Sequence, residues 1–170
     1  MIALLSELLR SALTEAEEEL PLDREMALLR LYLEILEIRY QGQLHTHIHV
    51  EDDVRDALVP RMILQPLVEN AMKHGVAPAS GDGRIEIRAR RDGRDVVLSV
   101  RDSGGAEGES SVSNGAGVGL RLTRQRLAAL YGAAQRVELV AADDGGTIAR
   151  IVLPYHTVVD GKRVTQVASA

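Results

Sequence analysis

Cysteine, phenylalanine and tryptophan are absent from the 170 residues, and tyrosine occurs only 4 times. The core must therefore be aliphatic, and neither a disulfide framework nor a thiolate metal site can form. Zinc fingers and thiol enzymes are excluded. No uninterrupted apolar run approaches the roughly 18 residues that a membrane-spanning helix needs, and no basic stretch leads into a long apolar one at the start. The expectation is a chain that does not itself enter a membrane. Lysine is nearly missing too: of 20 basic side chains only Lys73 and Lys162 are lysines, so Lys73 stands where arginine is the habit. The formal net charge of −5 argues against general binding along a nucleic-acid backbone, though not against a local basic patch. The length suits one domain, or one domain with a helical appendage, and suffices to bury a core.

What is present is periodic. Leu4, Leu5, Leu8, Leu9 and Leu13 repeat at helical spacing from Ile2 to Leu13, a short amphipathic helix or the end of a longer one. After Pro21, Asp23 is read as the N-cap of a second helix with the stripe Met26, Leu29, Leu33, Leu36 and Tyr40, ended by Gly42. Leu44, Thr46, Ile48 and Val50 then alternate with His45, His47 and His49, a strand whose histidines face out. Asp52 to Ala57 reads as a helical turn, and Pro60 as the opening of a helix through Leu64, Leu67, Val68, Ala71 and Met72 that stops at Gly75.

Ile85 and Ile87, then Val96, Leu98 and Val100, predict two strands joined by Asp92-Gly93. A Gly- and Ser-rich loop, Gly104 to Gly117, precedes a helix from Val118 to Tyr131 closed by Gly132. Strands over Val137 to Ala141 and Thr147 to Leu153 flank Asp143-Asp144-Gly145-Gly146, Pro154 ends the last, and residues 155–170 read as a loose tail. Strands bunched with helices on one face point to an α+β sandwich of two layers.

Three segments carry the chemistry. In Leu64-Gln65-Pro66-Leu67-Val68-Glu69-Asn70-Ala71-Met72-Lys73-His74-Gly75, Asn70, Lys73 and His74 share one helix face. An Asn carbonyl suits octahedral Mg²⁺, and a lysine supplies a point charge for phosphate. A helix with a merely polar solvent face is the alternative. In Val100-Arg101-Asp102-Ser103-Gly104-Gly105 an acidic residue ends an apolar strand, where a carboxylate can accept from an exocyclic amine such as adenine's, a bond worth roughly 1.5–3 kcal/mol. Asp-Ser-Gly is also an ordinary turn. In Gly115-Ala116-Gly117-Val118-Gly119-Leu120, glycines leading into a helix allow close backbone approach to an anionic phosphate. The long polar loop before it, in place of a parallel strand, excludes a dinucleotide-binding βαβ unit.

In this order and spacing the segments resemble the N box and the two glycine boxes of the GHKL ATPase/kinase superfamily. Tyr32-Leu33-Glu34-Ile35-Leu36-Glu37-Ile38-Arg39-Tyr40, Leu64 to Gly75, Gly119 to Gly132 and Gly145-Gly146-Thr147 are similar to the LytS-type sensor histidine kinases in particular, over roughly residues 5 to 154. The resemblance implies a Bergerat-type two-layer α/β sandwich with a mixed, mostly antiparallel sheet. It divides the chain into the remnant of an upstream dimerisation helix (1–20), an ATP-binding catalytic domain (21–154) and the tail. It also implies a Mg-ATP site in which Asn70 coordinates Mg²⁺ and Lys73 and His74 contact phosphates. Asp102 reads the adenine amine, Gly104 lines the base, and residues 105–117 form a lid. Gly115, Gly117, Gly119 and Leu120 supply the phosphate-binding turn, and Thr147 supports the Asp102 end of the pocket.

The implied activity is transfer of the γ-phosphoryl of ATP to a histidine on a separate dimerisation segment, and onward to a response regulator. The setting is cytoplasmic, in a parent kinase anchored at the membrane. Leu5 to Leu13 resembles the tail of the acceptor hairpin without its histidine, so the chain by itself is expected to bind nucleotide without autophosphorylating.

Two departures matter. The family's first glycine box has a glycine where Ala106 stands, with Gly105 one residue early, and alanine at φ > 0 costs about 1 kcal/mol or more, so the loop shifts register or nucleotide affinity falls. Hydrolytic members carry a water-activating Glu four residues before the Asn, and Pro66 stands there, which favours phosphoryl transfer over hydrolysis. The alternatives are a non-catalytic nucleotide-binding or interaction module and an anti-sigma-factor-like serine kinase. His45, His47 and His49 read as exposed strand residues in preference to a metal site, and His156 as incidental.

Overall fold

The computed structural model describes residues 18–74, 83–104, 118–159 and 162–164. The first leucine-rich stretch, Ala106, Gly115 and Gly117 lie outside them. Strand β1 (Glu19–Pro21) runs straight into helix α1 (Leu22–Arg39), whose Leu22, Met26, Leu29, Leu33 and Leu36 are buried at three- and four-residue spacing. Asp23 does not cap this helix. Pro21 occupies the cap position in extended conformation, and the first free N–H groups, of Leu22 and Asp23, donate to the carbonyls of Ala57 (2.8 Å) and Arg55 (3.0 Å). The Asp23 carboxylate instead accepts from Arg55 at 2.9 Å. Gln41 and Gly42, both at positive φ, end the helix.

Strand β2 (Leu44–Val50) alternates as expected, its histidines exposed. A short 3-10 turn (Asp52–Val54) leads to β3 (Leu58–Pro60), which pairs antiparallel with β1. Here the structure departs from the sequence reading: Pro60 ends a strand and opens no helix. A proline is tolerated in this two-stranded ribbon, and Met62, at φ 55°, breaks any helical continuation. Helix α2 (Gln65–His74) starts five residues after Pro60, with Pro66 as its first-turn proline.

The hairpin β4 (Gly83–Asp92) and β5 (Asp95–Asp102) turns at Gly93, and β6 (Arg136–Ala141) and β7 (Thr147–Pro154) follow helix α3 (Val118–Tyr131). The sheet order is β2-β4-β5-β7-β6, parallel between β2 and β4 and antiparallel elsewhere. Among the described residues, one sheet face offers Ile85, Ile87, Ala89, Val96, Leu98, Val100, Ala149, Ile151 and Leu153 to helices α1, α2 and α3 in a single aliphatic core, with Tyr155 its one buried aromatic side chain. The other face carries His45, His47, His49, Arg88, Arg101 and Arg150.

Residues 155–157, read as the start of a loose tail, are buried. The Tyr155 N–H donates to the Arg94 carbonyl (2.8 Å), the Arg91 guanidinium lies 3.6 Å from the Tyr155 ring centroid, and His156 O accepts from the Leu58 N–H (2.8 Å). His156 is not incidental: its Nδ1 lies 3.0 Å from Pro154 O and its Nε2 3.2 Å from the Glu19 carboxylate, which also accepts from the Tyr131 hydroxyl. Strands β8 (Thr157–Val159) and β9 (Lys162–Val164) then pair antiparallel. Three-residue strands are too short to show a two-residue period in the sequence.

Candidate active site

Alternation along β5 turns Val96, Leu98, Val100 and Asp102 to the core side, so a carboxylate 2% exposed ends an aliphatic row. Burying a charge is costly unless it is hydrogen-bonded. Asp102 Oδ1 accepts from the Gly104 N–H at 2.9 Å and from the Thr147 N–H at 3.1 Å. The first bond closes an Asx turn; the second ties β5 to the start of β7, where Thr147 is itself buried. Ser103 points the other way, its Oγ accepting from the Arg84 N–H at 3.1 Å.

Two glycines permit this arrangement. Gly104 (φ 73°) and Gly146 (φ 87°) meet backbone to backbone: a Cβ on Gly104 would stand 2.7 Å from Gly146 N, and one on Gly146 only 2.1 Å from Asp102 O. The strand-end turn and the β6–β7 turn are thereby pressed together behind the carboxylate. Gly146 thus joins the candidate site; the sequence reading gives it no role of its own, and its signals are the doubled glycine and the resemblance of Gly145-Gly146-Thr147 to the LytS-type kinases.

Helix α2 packs on β5 and β7 and against α3. Leu67, Val68 and Ala71 face the core, which leaves Asn70 half-buried at the helix flank and Lys73 exposed one turn on; His74 is the last helical residue. Glu69, exposed, accepts from Gln65 Nε2 at 2.8 Å and so belongs to the solvent side of the helix. At the start of α3, Gly119 is exposed and its missing Cβ would lie 3.9 Å from Pro66 Cβ, an ordinary contact, while its carbonyl accepts from Thr123 Oγ1 at 2.9 Å. Leu120 is 1% exposed and belongs to the core.

Asp102, Gly104 and Thr147 are therefore in direct contact, and Asn70, Lys73 and His74 lie on a helix packed against that same strand. A cleft of about 390 Å³ opens beside Asp102, lined by Asp102 and Ile85 together with the outward-facing His47, Glu86 and Arg101 and with Arg84, Ser103 and Asp144. There Arg101 pairs with Asp144, which raises the arginine's pKa and lowers that of the carboxylate. A paired guanidinium and carboxylate offer no acid or base for chemistry near neutral pH, so the Asp102 carboxylate with its glycine turns is the candidate group on this cleft.

Residues 55–157 match the family model described as histidine kinase-, DNA gyrase B- and HSP90-like ATPase. The chain belongs to this ATPase family. A histidine kinase family model matches residues 1–44. The chain is 32% identical over 165 residues to the sensor protein LytS of Oceanobacillus iheyensis, with 89% of the chain aligned. It is 30% identical over 156 residues to the sensor histidine kinase BtsS of Escherichia coli K12, with 92% aligned. In each case it spans 28% of the relative's length. Among solved structures, the nucleotide-free catalytic domain of histidine kinase ThkA matches 80% of the chain and 94% of its own length at a TM-score of 0.62 and 17% identity. Full-length ShkA in complex with AMPPNP matches 95% of the chain and 36% of its own length at 0.59 and 24% identity. These likenesses establish the fold of this ATPase-family chain as that of histidine kinase catalytic domains.

Proposed function

We propose that the chain is the ATP-binding catalytic unit of a sensor histidine kinase of the LytS type, which binds Mg-ATP and delivers the γ-phosphoryl to a histidine on a dimerisation segment, for onward passage to a response regulator. The observation that carries this reading is the buried Asp102 carboxylate, held in one orientation by the Gly104 and Thr147 N–H groups at the mouth of the core. A fixed, desolvated acceptor of this kind reads the exocyclic amine of adenine.

The residues present fit a nucleotide. Gly104 and Gly146 let the two turns close on each other and so hold the carboxylate in place, and the half-buried Asn70 amide offers an oxygen of the hard kind that Mg²⁺ takes. Magnesium, when bound, neutralises charge on the phosphate oxygens. Asn70 would hold it, Lys73 and His74 would contact phosphate, and the backbone at Gly115, Gly117 and Gly119 would approach the phosphate chain, with Leu120 anchoring that turn in the core. The chain's part in transfer is to position and to exclude water. Pro66 offers no base, and Glu69, engaged by Gln65 on the solvent side, does not replace it.

Calorimetric titration with Mg-ATP tests the reading. Asp102→Ala is expected to weaken binding about 10–100-fold, the value of a charged hydrogen bond. Unchanged affinity would remove Asp102 from base recognition. Absent binding in the native chain that Ala106→Gly does not restore would favour instead the non-catalytic module, the reading to which Ala106 points.

A further inference from the structure

We propose that Glu25 of α1 is the positioning residue for Asn70, acting as a clamp on the loop that leads into the helix that carries it. The inference rests on the reading of Asn70 as the metal-holding residue. Glu25 is 1% exposed, and its side chain crosses from the first turn of α1 to the loop that feeds α2. Oε2 accepts from the Met62 N–H at 2.7 Å and Oε1 from the Leu64 N–H at 3.2 Å, with a further backbone bond from Ile63. Those are the last three residues before the helix begins at Gln65.

Leu64, immediately before the helix, has no side chain that can cap it, and its carbonyl already accepts from the N–H groups of Leu67 and Val68 at 3.1 Å each. The carboxylate accepts from Leu64 and the two residues before it, and so fixes the entry to the helix, not the free N–H groups of its first turn. Met62 sits at φ 55°, a conformation that an L side chain adopts reluctantly, and bonds from its own N–H and from the Ile63 and Leu64 N–H groups that follow hold it there. From the opposite side Arg126 of α3 donates to the Arg61 carbonyl at 2.6 Å, and its charge favours the ionised Glu25. Burial pushes the Glu25 carboxyl up, and the backbone bonds and Arg126 oppose that push.

Such a clamp fixes a direction. Asn70 lies about 7.5 Å along the helix axis from Gln65, so a tilt of about 8° at the helix start displaces it by about 1 Å, and a misplacement of that size costs about a hundredfold in a well-positioned site. Purely structural burial would not single out the metal-dependent part of binding.

Glu25→Gln separates the two. An amide presents an acceptor to one side and a donor to the other, so it cannot take both the Met62 and the Leu64 N–H. In the full chain, ATP affinity is measured with Mg²⁺ and with a chelator, and amide hydrogen exchange at Met62 and Leu64 without nucleotide. The expected result is faster exchange at both amides, about a tenfold loss with Mg²⁺ and less than about a twofold loss without it. Equal losses in the two conditions, or none in either, would overturn the proposal. Asn70→Ala is the reference: if it leaves the Mg²⁺-dependent advantage intact, the reading of Asn70 fails. If it removes that advantage while Glu25→Gln does not, the inference about Glu25 fails alone. In the Glu25→Gln/Asn70→Ala pair the Glu25 effect on Mg²⁺ dependence is expected to vanish. Should Glu25→Gln not fold, the same measurements are made with Met62→Gly added, because glycine takes the left-handed turn unaided.

Discussion

At the scale of single residues, neighbouring glycines in the β6–β7 turn separate conformational need from contact. Among the described residues nothing lies within 4 Å of a would-be Cβ at Gly145 (φ 96°), whereas the Cβ of an alanine at Gly146 would stand 2.1 Å from the Asp102 carbonyl oxygen. Gly145→Ala is therefore expected to cost only the left-handed backbone, about 1–2 kcal/mol. Gly146→Ala adds the displacement of β5 from β7, for about 2–5 kcal/mol in all, and moves the Asp102 carboxylate with it. Denaturant unfolding and Mg-ATP titration of both variants check this; equal losses of stability, or an Asp102 pocket that binds normally in Gly146→Ala, would contradict it. Asp102 and Gly104 were legible in the sequence because Asp-Ser-Gly after an alternating strand is a local pattern. Gly146 was legible as part of a motif but not in its role, because its reason lies in a contact 42 to 44 residues away in the chain, and nothing local says which turn will meet which.

At the scale of elements the same limit recurs. Helix α3, the hairpin at Gly93 and the alternation of β2 follow from periodicity and turn chemistry within each segment, and all were readable. The start of α2 was misplaced because Pro60 serves equally at a strand end and at a helix start, and the choice is made by β1, by Glu25 and by the left-handed Met62. The opening of α3 carries a prediction. Among the described residues, a Cβ at Gly119 meets only Pro66 Cβ at 3.9 Å, so Gly119→Ala fits the fold and should stabilise the helix by roughly 0.5–1 kcal/mol. If phosphate oxygens approach the backbone there, the same methyl group should weaken nucleotide binding. A variant with a higher unfolding midpoint and lower ATP affinity is the expected outcome. Gain in both quantities would remove Gly119 from the phosphate turn.

At the scale of the whole molecule, the sheet divides the chain chemically, and this explains the arginine-rich composition. Arg88 with Glu86, Arg90 with Asp92, Arg101 with Asp144 and Arg150 with Glu138 form exposed pairs along the face turned away from the helices. Exposed pairs of this kind contribute little, so the aliphatic side supplies most of the stability, although Val97 and Val152 are also buried on the outer face. Lys73 stands on the other side, with the candidate site. The same division decides which histidines can receive a phosphoryl group. His45, His47 and His49 pair across the sheet with Arg84, Glu86 and Arg88 on the outer face, whereas Asp102 pairs with the core-facing Ile85, and His156 is buried at 4% exposure. The Asp102 side chain and the three strand histidines thus leave the sheet on opposite faces, although His47 and Asp102 both line the cleft beside β4 and β5. Replacing them together, His45→Gln, His47→Gln and His49→Gln, is expected to leave Mg-ATP affinity within about twofold, since surface substitutions away from the site shift energies by no more than about 0.5 kcal/mol. Radiolabel from γ-labelled ATP delivered to a histidine-bearing dimerisation segment should also be unchanged. Acid-labile label on the native chain that disappears in the triple variant would show that the strand itself is the acceptor, and would place the nucleotide on the opposite face of the sheet from Asp102.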